Sequence, residues 1–252
     1  MIHSDQNQKP LLGFFDSGVG GFSVLKEVKT ATTADVLYFG DCARAPYGNR
    51  SLEEIVQFMR EIILHLKESN VTHFVSACNS MSVHMTEKLL RECDVDHHHY
   101  IDIIIAFKKY CDVPNDSRIL VIGTQATITS QIYQTHLRGT VAAVFEYAPR
   151  TLAGSIESNI DEESLYAEIL PVVIYAKEVG ATHLLYGCTH YPLVHNVFVR
   201  AATTAGWEGK YIDPALYVAQ AVSEWGLEGE GKAAFETSKD TEVFTKFASE
   251  YR

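Results

Sequence analysis

The chain has 252 residues, 46% hydrophobic and 21% charged, as in a globular protein of one large domain or two smaller ones. Its net charge of −11 argues against nucleic-acid binding, which needs a basic surface. No apolar run approaches the ~20 residues of a membrane span, and the first ten residues lack the apolar core of a signal peptide. We therefore expect a cytoplasmic protein with a loose tail before Leu11 and with neither nucleic acid nor membrane as a partner.

Short apolar segments alternate with longer amphipathic ones, which favours an α/β fold with parallel sheets. Ser51 and Glu54 are spaced as a capping box before a helix whose apolar residues recur with a period near 3.6. Pro171 falls inside another predicted helix, where a proline kinks the backbone. The predicted strands are 11–16, 36–40, 72–77, 101–106, 119–123, 140–145 and 182–186, with 209–212 leading into a last strand-to-helix turn. The predicted helices are 22–29, 51–66, 82–91 and 165–179.

The five cysteines, at positions 42, 78, 93, 111 and 188, include no Cys-x-x-Cys pair. An odd count without such pairs favours neither a disulfide framework nor a cysteine-rich zinc site. In a reducing compartment, free cysteines are either small buried hydrophobes or reactive thiols. The run His97–His99 predicts a solvated loop and a poor metal site, because adjacent side chains do not share one face of a helix or strand.

An approximate internal repeat is the most informative pattern in the chain. THFVSACN at 72–79 matches THLLYGCT at 182–189, so Cys188 lies 110 residues after Cys78 (188 − 78). The same offset aligns charged and apolar positions of the two preceding helices. Each half would place a cysteine just beyond the carboxyl end of a parallel strand, where open α/β sheets bind ligands. Helix N-termini at that edge present N–H groups that suit carboxylates.

Two thiols on opposite sides of one cleft suit the inversion of a carbon atom that carries an acidic proton. One thiolate removes the proton from one face, and the opposed thiol delivers a proton to the other face. An unperturbed thiol has a pKa of ~8.5, so each would need a charged or polar neighbour to tune it. The residues alone leave a second interpretation open, in which both cysteines are buried strand-end residues without a chemical role.

Five segments, taken in order, resemble the glutamate racemases of the aspartate/glutamate racemase superfamily. They are GFFDSGVGGFSVLKEV (13–28), YFGDCARAPYGNRS (38–51), ACNSMS (77–82), GTQATITSQIY (123–133) and YGCTHYPL (186–193). The resemblance implies two pseudo-symmetric parallel-sheet α/β domains with the active site in the cleft between them. The first domain would comprise residues 1–105 and 212–252, and the second residues 106–211.

The resemblance also implies roles for individual residues. Cys78 and Cys188 look like the catalytic thiols, the first acting on the D-enantiomer and the second on the L-enantiomer. Asp16 looks like the group that helps proton transfer at Cys78, and His190 like the corresponding helper at Cys188. The implied substrate contacts are Asp16, Ser17, Tyr47, Gly48, Asn79, Ser80, Thr189 and His190, with Thr124 or Thr127 adding a carboxylate contact. Position alone also fits a helix cap at Asp16, a structural histidine at His190 and an ordinary turn at Tyr47.

Several positions around the implied cleft depart from the family pattern. Met81 stands where the family usually has alanine, and its bulk is expected to reshape the pocket. Residues 100–109 replace an acidic-Pro-Gly stretch, 148–150 replace a Cys-Pro-Leu segment, and Asp213-Pro214 replaces an Asp-Ser pair. Glu157 is the candidate for the family glutamate that orients the second histidine, in a register that is open by one residue. These departures keep both thiols but leave the substrate open.

The resemblance implies a cofactor-independent glutamate racemase that supplies D-glutamate for peptidoglycan synthesis. No metal, pyridoxal phosphate or nucleotide is implied, since the chain has no Walker loop and its glycine-rich turn lacks a dinucleotide fingerprint. The implied partners are glutamate and a second copy of the chain in a homodimer. Two alternatives stay open: a racemase for aspartate or another acidic amino acid, and a non-catalytic ligand-binding paralogue.

Overall fold

The structure is a computed structural model that describes residues 10–251, so most of the predicted N-terminal tail lies outside the described residues. Two sheets are present, and the strand pairs in both are parallel, which confirms the expected α/β class. The strands are β1 (Leu11–Asp16), β2 (Asp35–Gly40), β3 (His73–Ser76), β4 (Tyr100–Asp102), β5 (Arg118–Gly123), β6 (Ala143–Tyr147), β7 (His183–Gly187), β8 (Lys210–Ile212) and β9 (Ala233–Thr237). The first sheet has the order β4-β3-β1-β2-β9, and the second has the order β6-β5-β7-β8.

Helices follow most strands and pack on both sheets. They are α1 (Phe22–Val28), α2 (Leu52–Glu68), α3 (Asn79–Ser82), α4 (Glu87–Glu92), α5 (Ile103–Tyr110), α6 (Gln125–Ser130), α7 (Ile132–Leu137), α8 (Leu152–Glu157), α9 (Glu162–Glu178), α10 (His195–Ala205), α11 (Ala215–Ser223) and α12 (Glu242–Glu250). Short 3₁₀ turns occur at Tyr47–Asn49, His97–His99 and Tyr191–Val194. Among the helices of residues 10–251, none combines the length and the hydrophobicity that a membrane span requires.

The start of α2 forms the predicted capping box. Ser51 Oγ accepts a hydrogen bond from Glu54 N at 3.2 Å, and Glu54 Oε2 accepts one from Ser51 N at 2.9 Å. Two backbone N–H groups that have no partner within the helix thereby gain hydrogen bonds. The helix buries its apolar face against the first sheet. Its counterpart α9 continues through Pro171, whose ring occupies an exposed position.

The internal repeat of the sequence is also a repeat of structure. The order β4-β3-β1-β2 in the first sheet matches β8-β7-β5-β6 in the second. Hydrogen bonds repeat as well, because Thr72 Oγ1 accepts from Leu11 N at 3.1 Å and Thr182 Oγ1 accepts from Arg118 N at 2.9 Å. Each threonine directly precedes one of the repeated strands, β3 or β7, and bonds to the first residue of the neighbouring strand, β1 or β5. The two halves therefore present Cys78 and Cys188 at equivalent places in two sheets.

One continuous apolar cluster joins the two sheets. Leu12 of the first sheet and Leu185 of the second both belong to it, together with Val218 of α11. Helix α11, which follows β8 of the second sheet, packs against α1 and α5, which follow strands of the first sheet. Two further clusters each pack helices on one sheet.

The strand predicted over 101–106 is wrong beyond Asp102. The structure has β4 at Tyr100–Asp102, followed at once by α5. The Asp102 carboxylate accepts hydrogen bonds from Ile104 N at 2.9 Å and Ile105 N at 2.7 Å, which caps the helix. A short apolar run has no period that separates a strand from a buried helix, and the cap decides here in favour of the helix.

The helix predicted over 82–91 is divided into two. Helix α3 ends at Ser82, and α4 begins at Glu87 because Thr86 Oγ1 accepts a hydrogen bond from Leu89 N at 3.2 Å and starts a new helix. The strand predicted over 140–145 is displaced to β6. The elements without a predicted counterpart are β9, α6, α7, α8, α10 and α12.

The three consecutive histidines form an exposed 3₁₀ turn, which agrees with the solvated position predicted for them. Asp96 caps this turn by accepting a hydrogen bond from His98 N at 2.9 Å. In this turn, one possible metal-ligand atom from each of Asp96, His97 and His98 lies within 4.8 Å of the others. The spacing of adjacent residues along the sequence predicted a poor metal site.

Candidate functional site

The glycine-rich turn after β1 brings the first sheet into contact with the second. A Cβ atom at Gly20 would lie 2.3 Å from Thr189 Oγ1 and 2.5 Å from His190 Nδ1, and one at Gly18 would lie 2.2 Å from Glu157 Oε1. Real Cβ atoms do not approach other atoms so closely. The turn therefore needs glycine at these positions so that residues from both halves can share one site.

Cys78 lies between β3 and α3 and is 4% exposed. Its Sγ donates to Ser17 Oγ at 3.6 Å, and the Ser17 hydroxyl donates in turn to Asp16 Oδ1 at 3.5 Å. Burial, together with the negative charge of Asp16, raises the pKa of the Cys78 thiol to about 12. At neutral pH this residue is therefore a protonated thiol, one hydroxyl away from a carboxylate.

Asp16 is fully buried at the carboxyl end of β1 and is held from both halves. Its Oδ1 accepts from Gly18 N at 2.9 Å, and its Oδ2 accepts from Thr189 Oγ1 at 3.2 Å. Burial raises the pKa of this carboxyl above its usual value, although the positive charge of His190 opposes the shift. Asp16 thus takes up a proton more readily than an exposed aspartate.

Cys188 follows β7 and has an imidazole as its neighbour. Its Sγ lies 3.7 Å from His190 Nδ1, and His190 Nε2 lies 2.6 Å from Glu157 Oε2. Burial alone would lower the pKa of His190, but its hydrogen bonds with Cys188 and Glu157 outweigh burial and raise the pKa well above its usual value. The pair of His190 and Glu157 therefore places a positive charge beside the Cys188 sulfur.

Glu157, at the end of α8, is the carboxylate that reaches His190. The same Oε2 also accepts a hydrogen bond from Val19 N at 3.1 Å. Burial acts to raise the pKa of Glu157, but its hydrogen bonds with His190, Val19 and Cys42 lower the pKa overall. The glutamate stays ionised and fixes the orientation of the imidazole.

Several of the implied substrate contacts form a second group, which includes Ser80, two residues after Cys78. Ser80 Oγ lies 3.0 Å from Thr124 Oγ1, which lies 3.1 Å from Thr127 Oγ1. Thr124 also caps α6 by accepting from Thr127 N at 3.3 Å. A Cβ atom at Gly48 would lie 2.9 Å from Thr124 Cβ, so the turn at Gly48 packs directly on this hydroxyl cluster.

Asn79, the residue after Cys78, has a buried donor without a partner. Its Oδ1 accepts from Tyr133 OH at 2.5 Å, which fixes the orientation of the amide. Within residues 10–251, its Nδ2 makes no hydrogen bond, although the residue is only 2% exposed. A buried unpaired donor is costly, so this NH₂ group is suited to bind an acceptor on a ligand. Tyr133 was not among the predicted site residues, because no local motif in the sequence indicates its contact with Asn79.

The side chain of Tyr47 is held by a hydrogen bond to a buried residue. The Tyr47 hydroxyl donates to the buried carboxylate of Asp41 and is itself buried. Asp41 also accepts from Arg44 Nε at 2.5 Å and from Ser238 Oγ at 2.6 Å. Only the backbone near Tyr47 and Gly48 is therefore left to contact a ligand. Asp41 was missed, although a polar residue directly after β2 is itself a signal at this edge of a sheet.

A cavity of about 750 Å³ opens beside the hydroxyl cluster. It is lined by the Gly48 turn, by Thr124 and Gln125, and by residues between Pro149 and Ile160, whereas neither thiol lines it. Met81, expected to reshape the pocket, is fully buried in the apolar cluster that also contains Cys78. Among the described residues, Asp96, His97 and His98 could hold a metal ion, and none of these belongs to the contacts around either thiol.

Comparison with known proteins agrees with this geometry. No protein-family model matches the chain. It is 34% identical over 249 residues to glutamate racemase 3 of Caldanaerobacter subterraneus subsp. tengcongensis, a match that covers 94% of this chain and 89% of that protein. The glutamate racemase of Aquifex aeolicus is 37% identical over 184 residues, which cover 73% of this chain and 72% of that protein.

A solved structure has the same fold. A glutamate racemase isoform from Bacillus anthracis superposes with a TM-score of 0.82 at 26% identity, covering 96% of this chain and 93% of that chain. Both the fold and the sequence identity extend over nearly the whole described chain. On these grounds the chain belongs to the glutamate racemase family.

Proposed function

We propose that this protein interconverts L- and D-glutamate by proton transfer between two thiols, without a cofactor. The observation that carries the proposal is the placement of Cys78 and Cys188 at equivalent ends of two sheets. Each thiol has its own polar neighbours, and Asp16 and Thr189 link the two sets at 3.2 Å. A buried strand-end cysteine without a chemical role needs no such neighbours.

In the direction from L to D, Cys188 as a thiolate removes the α-proton of L-glutamate. The electron pair of the broken C–H bond stays on the α-carbon, and the Cys78 thiol delivers its proton to the opposite face. The turnover leaves Cys188 protonated and Cys78 as a thiolate. Before the next turnover, Cys188 releases its proton to the solvent through His190, and Cys78 regains one. Asp16 takes up that proton from the solvent more readily than an exposed aspartate, because burial raises its pKa, and passes it to Cys78 through Ser17. The reverse direction uses the same groups in the opposite order.

The carboxylates of the substrate find uncharged donors in this arrangement. Asn79 offers its unpaired Nδ2, and the hydroxyls of Ser80 and Thr124 lie within hydrogen-bonding distance of one another. Thr189 would contact the substrate through its backbone N–H, because its hydroxyl donates to Asp16. Hydrogen bonds from such groups to a carboxylate are charge-assisted, so several of them bind an acidic amino acid without a basic patch. Thr127, fully buried behind Thr124, supports the cluster rather than lining the cavity.

The finer parts of the proposal concern assembly and physiology. The two sheets would be the cores of two domains, 1–105 with 212–252 and 106–211. The pairing of β9 with β2 supports assigning the C-terminal segment to the first of them. The D-glutamate formed would serve peptidoglycan synthesis, and the active form would be a homodimer. A relative from Francisella tularensis, 25% identical with a TM-score of 0.80, is described in complex with D-glutamate, which supports glutamate as the ligand.

Circular dichroism of the purified, reduced protein tests the proposal. We expect each enantiomer of glutamate to lose optical activity until the mixture is racemic, with aspartate turned over far more slowly. A preference for aspartate would assign the site to another acidic substrate. Binding of glutamate by calorimetry without any inversion would identify a ligand-binding paralogue and contradict the proposal.

A further inference from the structure

The cavity beside Thr124 carries a single charge. Of the described residues that line it, Arg150 alone is ionised, and the others are apolar or neutral. Arg150 stands in the Ala148-Pro149-Arg150 segment, one of the places where this chain departs from its family's pattern. Arg150 is therefore the one charge that the described lining of this cavity offers to a ligand.

The Arg150 guanidinium is available to a ligand. It makes no hydrogen bond or ion pair with any residue between 10 and 251, whereas the nearby Arg44 pairs with Asp41 and Glu61. Arg50 likewise pairs with Glu54 at 3.5 Å. An arginine fork matches a carboxylate with two parallel hydrogen bonds, so the free group is suited to that ligand.

The other polar groups near Arg150 do not compete for an anion. Thr151 Oγ1 and Ser155 Oγ both donate at 2.6 Å to the carboxylate of Glu168, so their protons are already used. The protein as a whole carries a net charge of −11 and repels an acidic amino acid. A lone positive charge in a concave surface offsets that repulsion locally and attracts anions.

We propose that Arg150 captures the substrate at the mouth of the site by binding a carboxylate of the incoming dicarboxylic amino acid. This inference rests on the proposed function and adds the route by which the substrate reaches the site. Gly48 and Thr124 line the cavity and are also proposed substrate contacts, so an amino acid bound in the cavity lies next to the hydroxyl cluster. Both thiols are buried deeper and do not meet the ligand at this stage. Capture by a positive charge favours dicarboxylic amino acids, which carry a net negative charge at neutral pH, over neutral ones, whose carboxylate is balanced by the ammonium group.

Steady-state kinetics of Arg150→Met and Arg150→Lys test the inference. Because the group lies at an exposed rim, we expect Arg150→Met to raise KM roughly three- to tenfold and to leave kcat within about twofold. Added NaCl should weaken kcat/KM in the wild type and much less in Arg150→Met. Arg150→Lys keeps the charge without the fork and should recover part of the loss. Arg91→Met, on α4, removes the same charge away from the cavity and should leave KM unchanged.

Three results would overturn the inference: an unchanged KM in Arg150→Met, an equal rise of KM in Arg91→Met, or a loss confined to kcat. If the wild type does not racemise glutamate, the proposed function fails and the arginine is tested separately by calorimetry with glutamate. In that case a weaker affinity in Arg150→Met would support capture, and an equal affinity would contradict it.

Discussion

The two thiols occupy equivalent positions on one repeated scaffold but have different neighbours. Cys78 meets a neutral hydroxyl backed by the buried Asp16, and its pKa is raised to about 12. Cys188 meets His190, whose pKa is raised well above its usual value by its hydrogen bonds with Cys188 and Glu157, against the effect of burial. The repeat thus supplies the backbone positions, whereas local side chains would decide the proton-transfer role that we propose for each position.

This difference affects where a proton is held before the substrate binds. Cys78 holds its proton, and His190 places a positive charge 3.7 Å from the Cys188 sulfur, where it attracts a thiolate. In the proposed direction from L to D, Cys78 therefore already holds the proton that it would deliver. The reverse direction first needs a proton to leave Cys78 towards Asp16.

Removing either thiol should have the largest effect. Cys78→Ser and Cys188→Ser are each expected to lower kcat for racemisation by about 10³-fold or more in both directions, because inversion needs a group on each face. Partial exchange of the α-proton of one enantiomer is expected to survive in each variant. Cys111→Ser, a half-buried cysteine at the end of α5, serves as the control. Racemisation at the wild-type rate in either active-site variant would contradict the two-thiol mechanism.

The neighbours of the two thiols should affect the two directions differently. Asp16→Asn is expected to lower kcat about 10²-fold from D-glutamate and less from L-glutamate, and His190→Asn is expected to do the reverse. The two enantiomers have equal free energies in water, so kcat/KM must stay equal in both directions. The asymmetry is therefore sought in kcat and in the α-deuterium isotope effect on kcat. Equal effects on kcat from both enantiomers would show that the surroundings do not divide the roles.

The pH profile should reveal the carboxylate behind His190. In the wild type the imidazolium persists to high pH because hydrogen bonding raises the pKa of His190. Glu157→Gln removes the negative charge, so the pKa of His190 falls and the alkaline limb of kcat from L-glutamate moves to lower pH. The limb is measured with saturating substrate, and Glu178→Gln, exposed at the end of α9, provides the control. A limb that stays in place would remove Glu157 from the proton-transfer site.

The smallest expected effect is on the free energy of unfolding, and it should be equal for matched substitutions in the two halves. Thr72→Val and Thr182→Val each remove a hydroxyl that bonds to the backbone of the neighbouring strand, at 3.1 Å from Leu11 N and 2.9 Å from Arg118 N. We expect each to lower the free energy of unfolding by about 1 kcal/mol, measured by urea denaturation, with kcat unchanged. Unequal losses would show that the structural repeat is less regular than its hydrogen bonds suggest.

Much of this arrangement could be predicted from the sequence, because strong local signals coincide with the global fold. The shared THxxxxC segments indicated two equivalent strands, and Ser51 with Glu54 fixed the start of α2. The strand predicted after Tyr100 failed because its apolar run has no distinguishing period, and only the cap at Asp102 separates strand from helix.

The parts of the site that escaped prediction depend on long-range contacts. Tyr133 reaches Asn79 across 54 positions of sequence, and Ser238 reaches Asp41 across 197. No periodicity or short motif records such partners. Tyr47 belonged to a recognisable segment, but only the folded chain shows that its hydroxyl faces Asp41 and is held there.

The most direct test of two separate thiols is proton NMR in deuterated water, started separately from L-glutamate and D-glutamate. Early in each reaction, we predict that the newly formed enantiomer carries deuterium at the α-carbon while the remaining starting enantiomer keeps its proton. This is expected because the donating thiol has exchanged with the solvent, whereas the abstracting thiol acts on the other face. Product that retains the original proton, or deuterium that enters the starting enantiomer as fast as the product, would indicate a single base and contradict the account.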